Sequence, residues 1–277
     1  MISAGMPCPA RRSGRISNML GFLRYLNSFP IPFTSRHYQE FGDSTKHLKN
    51  GVLDSPDSWD ELRGRHEHYS IGTTREEWLR AAEGEVKKDG QDGGMIQRAA
   101  DVAETLRELS AKSIFSVGVG GAGLEYQIKK RLPTLHLTCS EYAPHNVEML
   151  RKVFIECNAL EVFDILKDDW SRVVSAGATV LMYRVDPHFT DTEWRTVFKS
   201  MHAAGVVRII YIPCTCLSVR SWLFRLRRRF LWALFHTRVA FAGYVRTRAR
   251  FESLWKDLYN GEIHTYGGLM GFVLSRE

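Results

Sequence analysis

Between residues 113 and 212, short apolar runs alternate with longer stretches in which apolar side chains recur every three or four positions. Ile114 to Val119, Leu135 to Cys139, Ala159 to Leu166, Ala178 to Val185 and Val206 to Ile212 read as five strands. The fourth is almost wholly apolar, as befits a strand covered on both faces. Leu124 to Leu132 keeps helical spacing until Pro133 stops it. Pro144 suits the first position of a helix whose apolar side includes Val147, Leu150 and Phe154. Thr190-Asp-Thr-Glu193 is a capping-box pattern, and Trp194, Val197, Phe198 and Met201 form the stripe of the helix it opens. This alternation predicts an α/β fold, a mostly parallel sheet flanked by helices.

Upstream, helices are predicted at Thr74 to Lys88 and Met95 to Leu109, the second lying against a sheet edge. Residues 1–42 read as a disordered or variable tail, 43–94 as an irregular and helical cover with a linker at 89–94, and 95–277 as the α/β domain. Downstream, a helix from Thr247 to Tyr259 stops at Asn260-Gly261. Glu262 to Tyr266 and Leu269 to Leu274 then form two strands joined by Gly267-Gly268, an antiparallel hairpin.

Charge changes the picture at one place. The chain has 277 residues and a net charge of +7. Residues 220–250 hold nine arginines and no lysine, aspartate or glutamate, which leaves the remainder near neutral. This basic helical insertion, about 218–245, has four readings. It is an amphipathic helix lying peripherally on an anionic membrane, an electropositive lid over an anionic substrate, an RNA-binding patch, or a surface helix packed by its apolar side. RNA ranks last, because no recognisable RNA-binding module accompanies it. Residues 1–39 lack acids and contain several arginines and serines, the composition of an organelle transit peptide or of a plain tail. Five cysteines without a disulfide spacing suit a reducing, cytoplasmic setting, and Cys214-Thr-Cys216 lacks the second pair that structural zinc needs. No apolar window is long enough to span a membrane.

The chemistry concentrates after the first strand. Gly118-Val119-Gly120-Gly121-Ala122-Gly123 breaks the apolar run, and Glu141-Tyr142 follows the second strand, Glu141 lying 18 residues beyond Gly123. Strand, glycine turn, helix, strand and acid is the order of a nucleotide-binding βαβ unit. Glycines admit backbone close to a ligand, and the acid can accept both ribose hydroxyls. Asp186 and His188 lie just past the fourth strand, at the carboxyl edge where open sheets bind ligands. His188 could take a proton there with Asp186 orienting it, or the two could cap the following turn.

Over roughly residues 95–277 these features resemble the class I S-adenosylmethionine-dependent methyltransferases. The resemblance implies a seven-stranded sheet whose last strand is antiparallel. It implies S-adenosylmethionine as cofactor, with Gly118, Gly120 and Ala122 at the loop's three small positions. Glu141 would hold the ribose, and Asp164 would sit beside the adenine amino group. Two departures stand out. Ser116 occupies a position that is often acidic, and Arg184-Val-Asp-Pro-His188-Phe replaces the Asn/Asp-Pro-Pro-aromatic motif of many nitrogen methyltransferases. The implied activity is methyl transfer to oxygen or nitrogen of a small-molecule, glycan or lipid-linked acceptor, with Asp186 and His188 on the acceptor side. Two rivals share the loop and acid. One is a nicotinamide-dependent oxidoreductase. The other is a non-catalytic cofactor-binding scaffold that docks a membrane or partner through the arginine helix.

Overall fold

The computed structural model describes residues 31–40, 74–84, 94–237 and 239–276. The expected linker and most of the expected cover segment and tail lie outside them.

Seven strands form the central sheet: β2 (Ser113–Val117), β3 (His136–Glu141), β4 (Ala159–Val162), β5 (Thr179–Tyr183), β6 (Arg208–Ile212), β8 (Asn260–Tyr266) and β9 (Leu269–Ser275). Their order is β4-β3-β2-β5-β6-β9-β8. The pairs from β4 through β6 are parallel, whereas β9 runs antiparallel to both β6 and β8. The methyltransferase resemblance implied this closure, and an all-parallel continuation of the dehydrogenase kind is excluded. Gly267 and Gly268 both take positive φ (49° and 80°), as a tight two-residue hairpin turn requires.

Side chains alternate between two apolar layers. On one face Ile114, Leu137, Leu181 and Ile212 pack against α1 (Arg75–Ala82), α2 (Gly94–Glu108), α3 (Gly123–Arg131) and α4 (Pro144–Val153). On the other, Phe115, Val180, Met182 and Tyr211 meet α5 (Trp170–Val173), α6 (Asp191–Ala203) and α8 (Arg248–Trp255). Val180, Leu181 and Met182 have no exposed surface, so β5 is covered on both faces as its composition predicts. The Thr190–Glu193 capping box forms, and Trp194, Val197, Phe198 and Met201 are fully buried beneath it.

The second upstream helix lies beside β8, the edge strand, as expected: Thr105 Oγ1 meets Tyr266 Oη at 3.3 Å, while Val102 and Leu106 join the apolar layer on that face. Three expectations are corrected. The third strand stops at Val162 rather than Leu166. Asp164 accepts from Leu166 N at 3.0 Å and Asp168 accepts from Asp164 N at 2.8 Å, which turns the chain out of the sheet. Within the segment read as a tail, Thr34–Glu40 is a strand, β1. The basic insertion is not helical to its end either: after α7 (Val219–Leu234) comes β7 (Val239–Arg246), which pairs antiparallel with β1. Each strand of this ribbon completes the other's backbone hydrogen bonds, and neither segment alone announces that partner.

Among the described residues no helix is long and apolar enough to cross a membrane.

Candidate functional site

β2, β3 and β4 succeed one another outward on one side of the sheet, and β5 begins the other side. The sheet therefore reverses its winding between β2 and β5, and open α/β sheets bind ligands outside the carboxyl ends of their strands at such a point. The glycine loop leaves β2 there. Gly118 (φ 63°), Gly120 (φ 60°) and Ala122 (φ 55°) all occupy the left-handed region, coiling the backbone tightly into α3. A Cβ on Gly118 would lie 2.7 Å from Val185 Cγ1, so the loop is pressed against the segment after β5.

Glu141, at the end of β3, is tied directly to this loop. Its Oε2 accepts from Gly120 N at 2.8 Å and its Oε1 from Tyr142 N at 3.1 Å. Val119 N donates to Ser140 O at 3.1 Å, Asn146 Nδ2 to Gly120 O at 3.3 Å, and Trp78 Nε1 to Gly121 O at 2.8 Å. Of the residues singled out in the sequence, the structure therefore brings Gly118 to Ala122, Glu141 and Tyr142 into one constellation. Trp78 and Asn146 join them and were not foreseen, because each reaches the loop from a different helix. Asp164 lies past β4 on the same edge, engaged with its own turn and with Lys167 Nζ at 3.2 Å.

Ser116, where the resemblance leads one to expect an acid, has no exposed surface, and its hydroxyl donates to Glu125 Oε1 at 2.8 Å. Glu125 comes from the first turn of α3 and is itself buried. Burial pushes its carboxyl up to about 7, against the lowering effect of the Ser116 hydrogen bond. A carboxyl group is therefore present beneath the loop, supplied from the helix rather than the strand.

Asp186 and His188 form a single turn of 3₁₀-helix after β5. Asp186 has no exposed surface. Its Oδ1 accepts from Cys214 N at 2.6 Å and its carbonyl accepts from Trp194 Nε1 at 3.3 Å, while Oδ2 has no hydrogen-bond partner among the described residues. Burial raises its carboxyl to about 6 and lowers the His188 imidazole to about 4. Asp186 thus fastens the loop after β6 to the turn after β5, and His188 is a neutral base at pH 7. Arg184 follows β5 with φ 60°, unusual for a side chain of its size, and stands exposed on the same edge. The thiols of Cys214 and Cys216 are pushed up to about 12, burial first, and stay protonated.

The β1–β7 ribbon closes over this edge. Arg246, fully buried, donates from Nε to Asp191 Oδ1 at 2.6 Å, from one terminal nitrogen to Asp186 O at 3.2 Å, and from the other to Phe189 O. Asp191 also accepts from Thr34 Oγ1 and Arg250 Nε, each at 2.8 Å. Gly243 lies so close to Pro187 that a Cβ there would sit 2.2 Å from its carbonyl oxygen. A cavity of about 350 Å³ between Leu106, Lys112 and Leu135 opens instead at the amino ends of β2 and β3, away from all of these groups.

The sequence matches no protein-family model and no curated protein. Solved structures do resemble it. SAM-bound CalS10, an amino pentose methyltransferase from Micromonospora echinaspora involved in calicheamicin biosynthesis, aligns over 72% of this chain and 96% of its own at 15% identity, with a TM-score of 0.50. The S-adenosylmethionine-dependent methyltransferase SibL, in its apo form, aligns over 84% and 68% at 15% identity, also with a TM-score of 0.50. The pyocyanin biosynthetic protein PhzM is 19% identical over 64% of this chain, with a TM-score of 0.48, and the chain spans 54% of its length.

Proposed function

We propose that this chain, which has the fold of the class I S-adenosylmethionine-dependent methyltransferases, binds S-adenosylmethionine and transfers its methyl group to oxygen or nitrogen of a small acceptor. The observation that carries the reading is the bond from Gly120 N to Glu141, which places a carboxylate and a left-handed glycine loop together at the winding reversal of the sheet. The residues fit the cofactor. Gly118 and Gly120 take the left-handed conformation that a close-fitting loop needs, Glu141 accepts hydroxyls, Glu125 lies beneath the loop, and Asp164 stands past β4 on the same edge of the sheet.

When bound, S-adenosylmethionine supplies a methyl group already made electrophilic by its sulfonium. The protein's work is then alignment and, for a protonated acceptor, removal of one proton. His188, neutral at pH 7, is the base on this reading. Asp186 acts at one remove, holding the loops after β5 and β6 together through Cys214 N. Arg184 is placed to receive an anionic group of the acceptor. The amino pentose named for CalS10 supports an acceptor of sugar size; glycan and lipid-linked acceptors belong to the same proposal.

The scaffold reading stays in play through one observation: Asp186 is turned into the protein rather than toward an acceptor. Transfer of labelled methyl from S-adenosylmethionine to a panel of amino sugars, phenols and lipid-linked glycans separates the two. Label in an acceptor with wild type, reduced at least about tenfold by His188→Asn with cofactor affinity unchanged, supports the enzyme. Saturable cofactor binding without label in any acceptor supports the scaffold.

A further inference from the structure

α7 leaves most of its large apolar side chains in solvent. Its apolar residues Leu223, Phe230 and Leu234 recur at helical spacing, and Phe224, Phe230, Leu234 and Phe235 are 62%, 68%, 58% and 71% exposed. None of its 16 residues is buried. The side turned toward the domain is mixed: Ser221, Phe224, Arg225, Arg228, Arg229 and Trp232 face β1 across a cavity of about 170 Å³. Of the apolar side expected to pack on the domain, Val219 and Trp222 are half-buried, whereas Leu223, Leu226, Phe230 and Leu234 are exposed.

The cavity is cationic. Arg36 contributes from β1. Arg225 Nη1 lies 2.5 Å from His37 Nδ1, Arg229 donates to Arg36 O, and Arg228 stacks over Trp232 at 4.8 Å. Among the described residues no carboxylate forms an ion pair with Arg225 or Arg229. Burial, followed by Arg225, Arg228 and Arg229, lowers the His37 imidazole to about 4, so it stays neutral and can accept from Arg225. Arg225 and Arg229, with no ion-paired acid among the described residues, suit an anion of phosphate size. The apolar row beside them suits hydrocarbon.

We propose that α7 and β1 form a docking surface for an anionic phospholipid bilayer. A lipid phosphate sits among Arg36, Arg225, Arg228 and Arg229, while Phe230, Leu234 and their exposed neighbours enter the acyl boundary. Two features favour the bilayer over a protein or nucleic-acid partner. Hydrocarbon contact is offered by separately exposed large side chains rather than by a shaped groove, and one of them, Phe224, lines the cavity together with Arg225 and Arg228. The surface borders the candidate site, since β7 returns from α7 directly over Pro187.

The test is co-sedimentation of the full chain with phosphatidylcholine vesicles, with and without about one third phosphatidylglycerol, alongside the change in tryptophan emission that is lost in Trp232→Phe. The proposal expects pelleting and a blue shift with anionic vesicles alone. It also expects at least a tenfold weaker association for Phe230→Ser with Leu234→Ser, and for Arg225→Gln with Arg229→Gln. The exposed apolar pair guards against misfolding, its thermal midpoint staying that of wild type. Absence of association with anionic vesicles overturns the proposal, and so does association indifferent to Phe230 and Leu234. It is equally overturned if single-stranded RNA or inorganic phosphate binds in preference to vesicles, or if those two side chains instead hold a dimer in solution. Calorimetry with S-adenosylmethionine on the same samples keeps this outcome separate from the cofactor reading, because neither pair of substitutions touches the glycine loop.

Discussion

The hydroxyl of Ser116 donates a 2.8 Å hydrogen bond to the carboxyl of Glu125, so the acid beneath the glycine loop is carried by α3 and not by β2. Burial holds that carboxyl at about 7, far above the 4.5 of an exposed glutamate. The folded protein therefore binds a proton that the unfolded chain has released, and stability falls as pH rises from about 4.5 to about 7.

Glu125→Gln keeps an acceptor for Ser116 and removes this dependence. The variant is expected to match wild type near pH 4.5 and to exceed it near pH 8 by up to about 3 kcal/mol, the size of the shift in free energy. Denaturant titrations at the two pH values check this. A difference that is the same at both would mean that the carboxyl ionises freely.

Arg246 is a buried charge whose partners lie on three segments: the turn after β5, α6 and, through Asp191, β1. Arg246→Ala is expected to cost about 3–5 kcal/mol, the range for breaking a buried pair from one side. Burial alone would raise the Asp191 carboxyl, but hydrogen bonds from Arg246, Thr34 and Arg250 outweigh it and hold it below its usual range. Its contribution is thus present above that range and disappears as pH falls through the lowered value. Asp191→Asn should lose stability at pH 7 and converge on wild type in acid.

Two glycines of the loop make unequal demands. Gly118 has φ 63° and a would-be Cβ 2.7 Å from Val185, whereas a Cβ on Gly121 meets nothing within 4 Å. Gly118→Ala is expected to cost about 1–3 kcal/mol, and Gly121→Ala less than about 0.5 kcal/mol. Thermal midpoints of the two variants measure the contrast.

Much of the sheet was legible in the sequence because a buried parallel strand needs an unbroken apolar run, as at Val180 to Met182, and because capping boxes such as Thr190–Glu193 mark helix starts locally. The association of the loop with Glu141 was legible for the same reason: spacing along a βαβ unit fixes proximity. What could not be read was long-range. The partnership of Thr34–Glu40 with Val239–Arg246 spans some two hundred positions, and β1, rich in polar residues, carries no apolar signature. Glu125 was hidden because an acid in the first turn of a helix ordinarily faces solvent, complementing the helix dipole. The orientation of α7 was hidden because an amphipathic pattern states that two faces differ, not which one meets the domain.

The central claim is that Glu141 and the loop from Gly118 to Ala122 hold S-adenosylmethionine. Titration calorimetry of that ligand into wild type and Glu141→Ala tests it most directly, since Glu141 touches both Gly120 N and Tyr142 N. The account predicts one saturable site in wild type and an affinity at least about tenfold lower in the variant, the loss of a charge-assisted pair of hydrogen bonds. Equal affinity in the two folded proteins, or no binding to wild type, would contradict it.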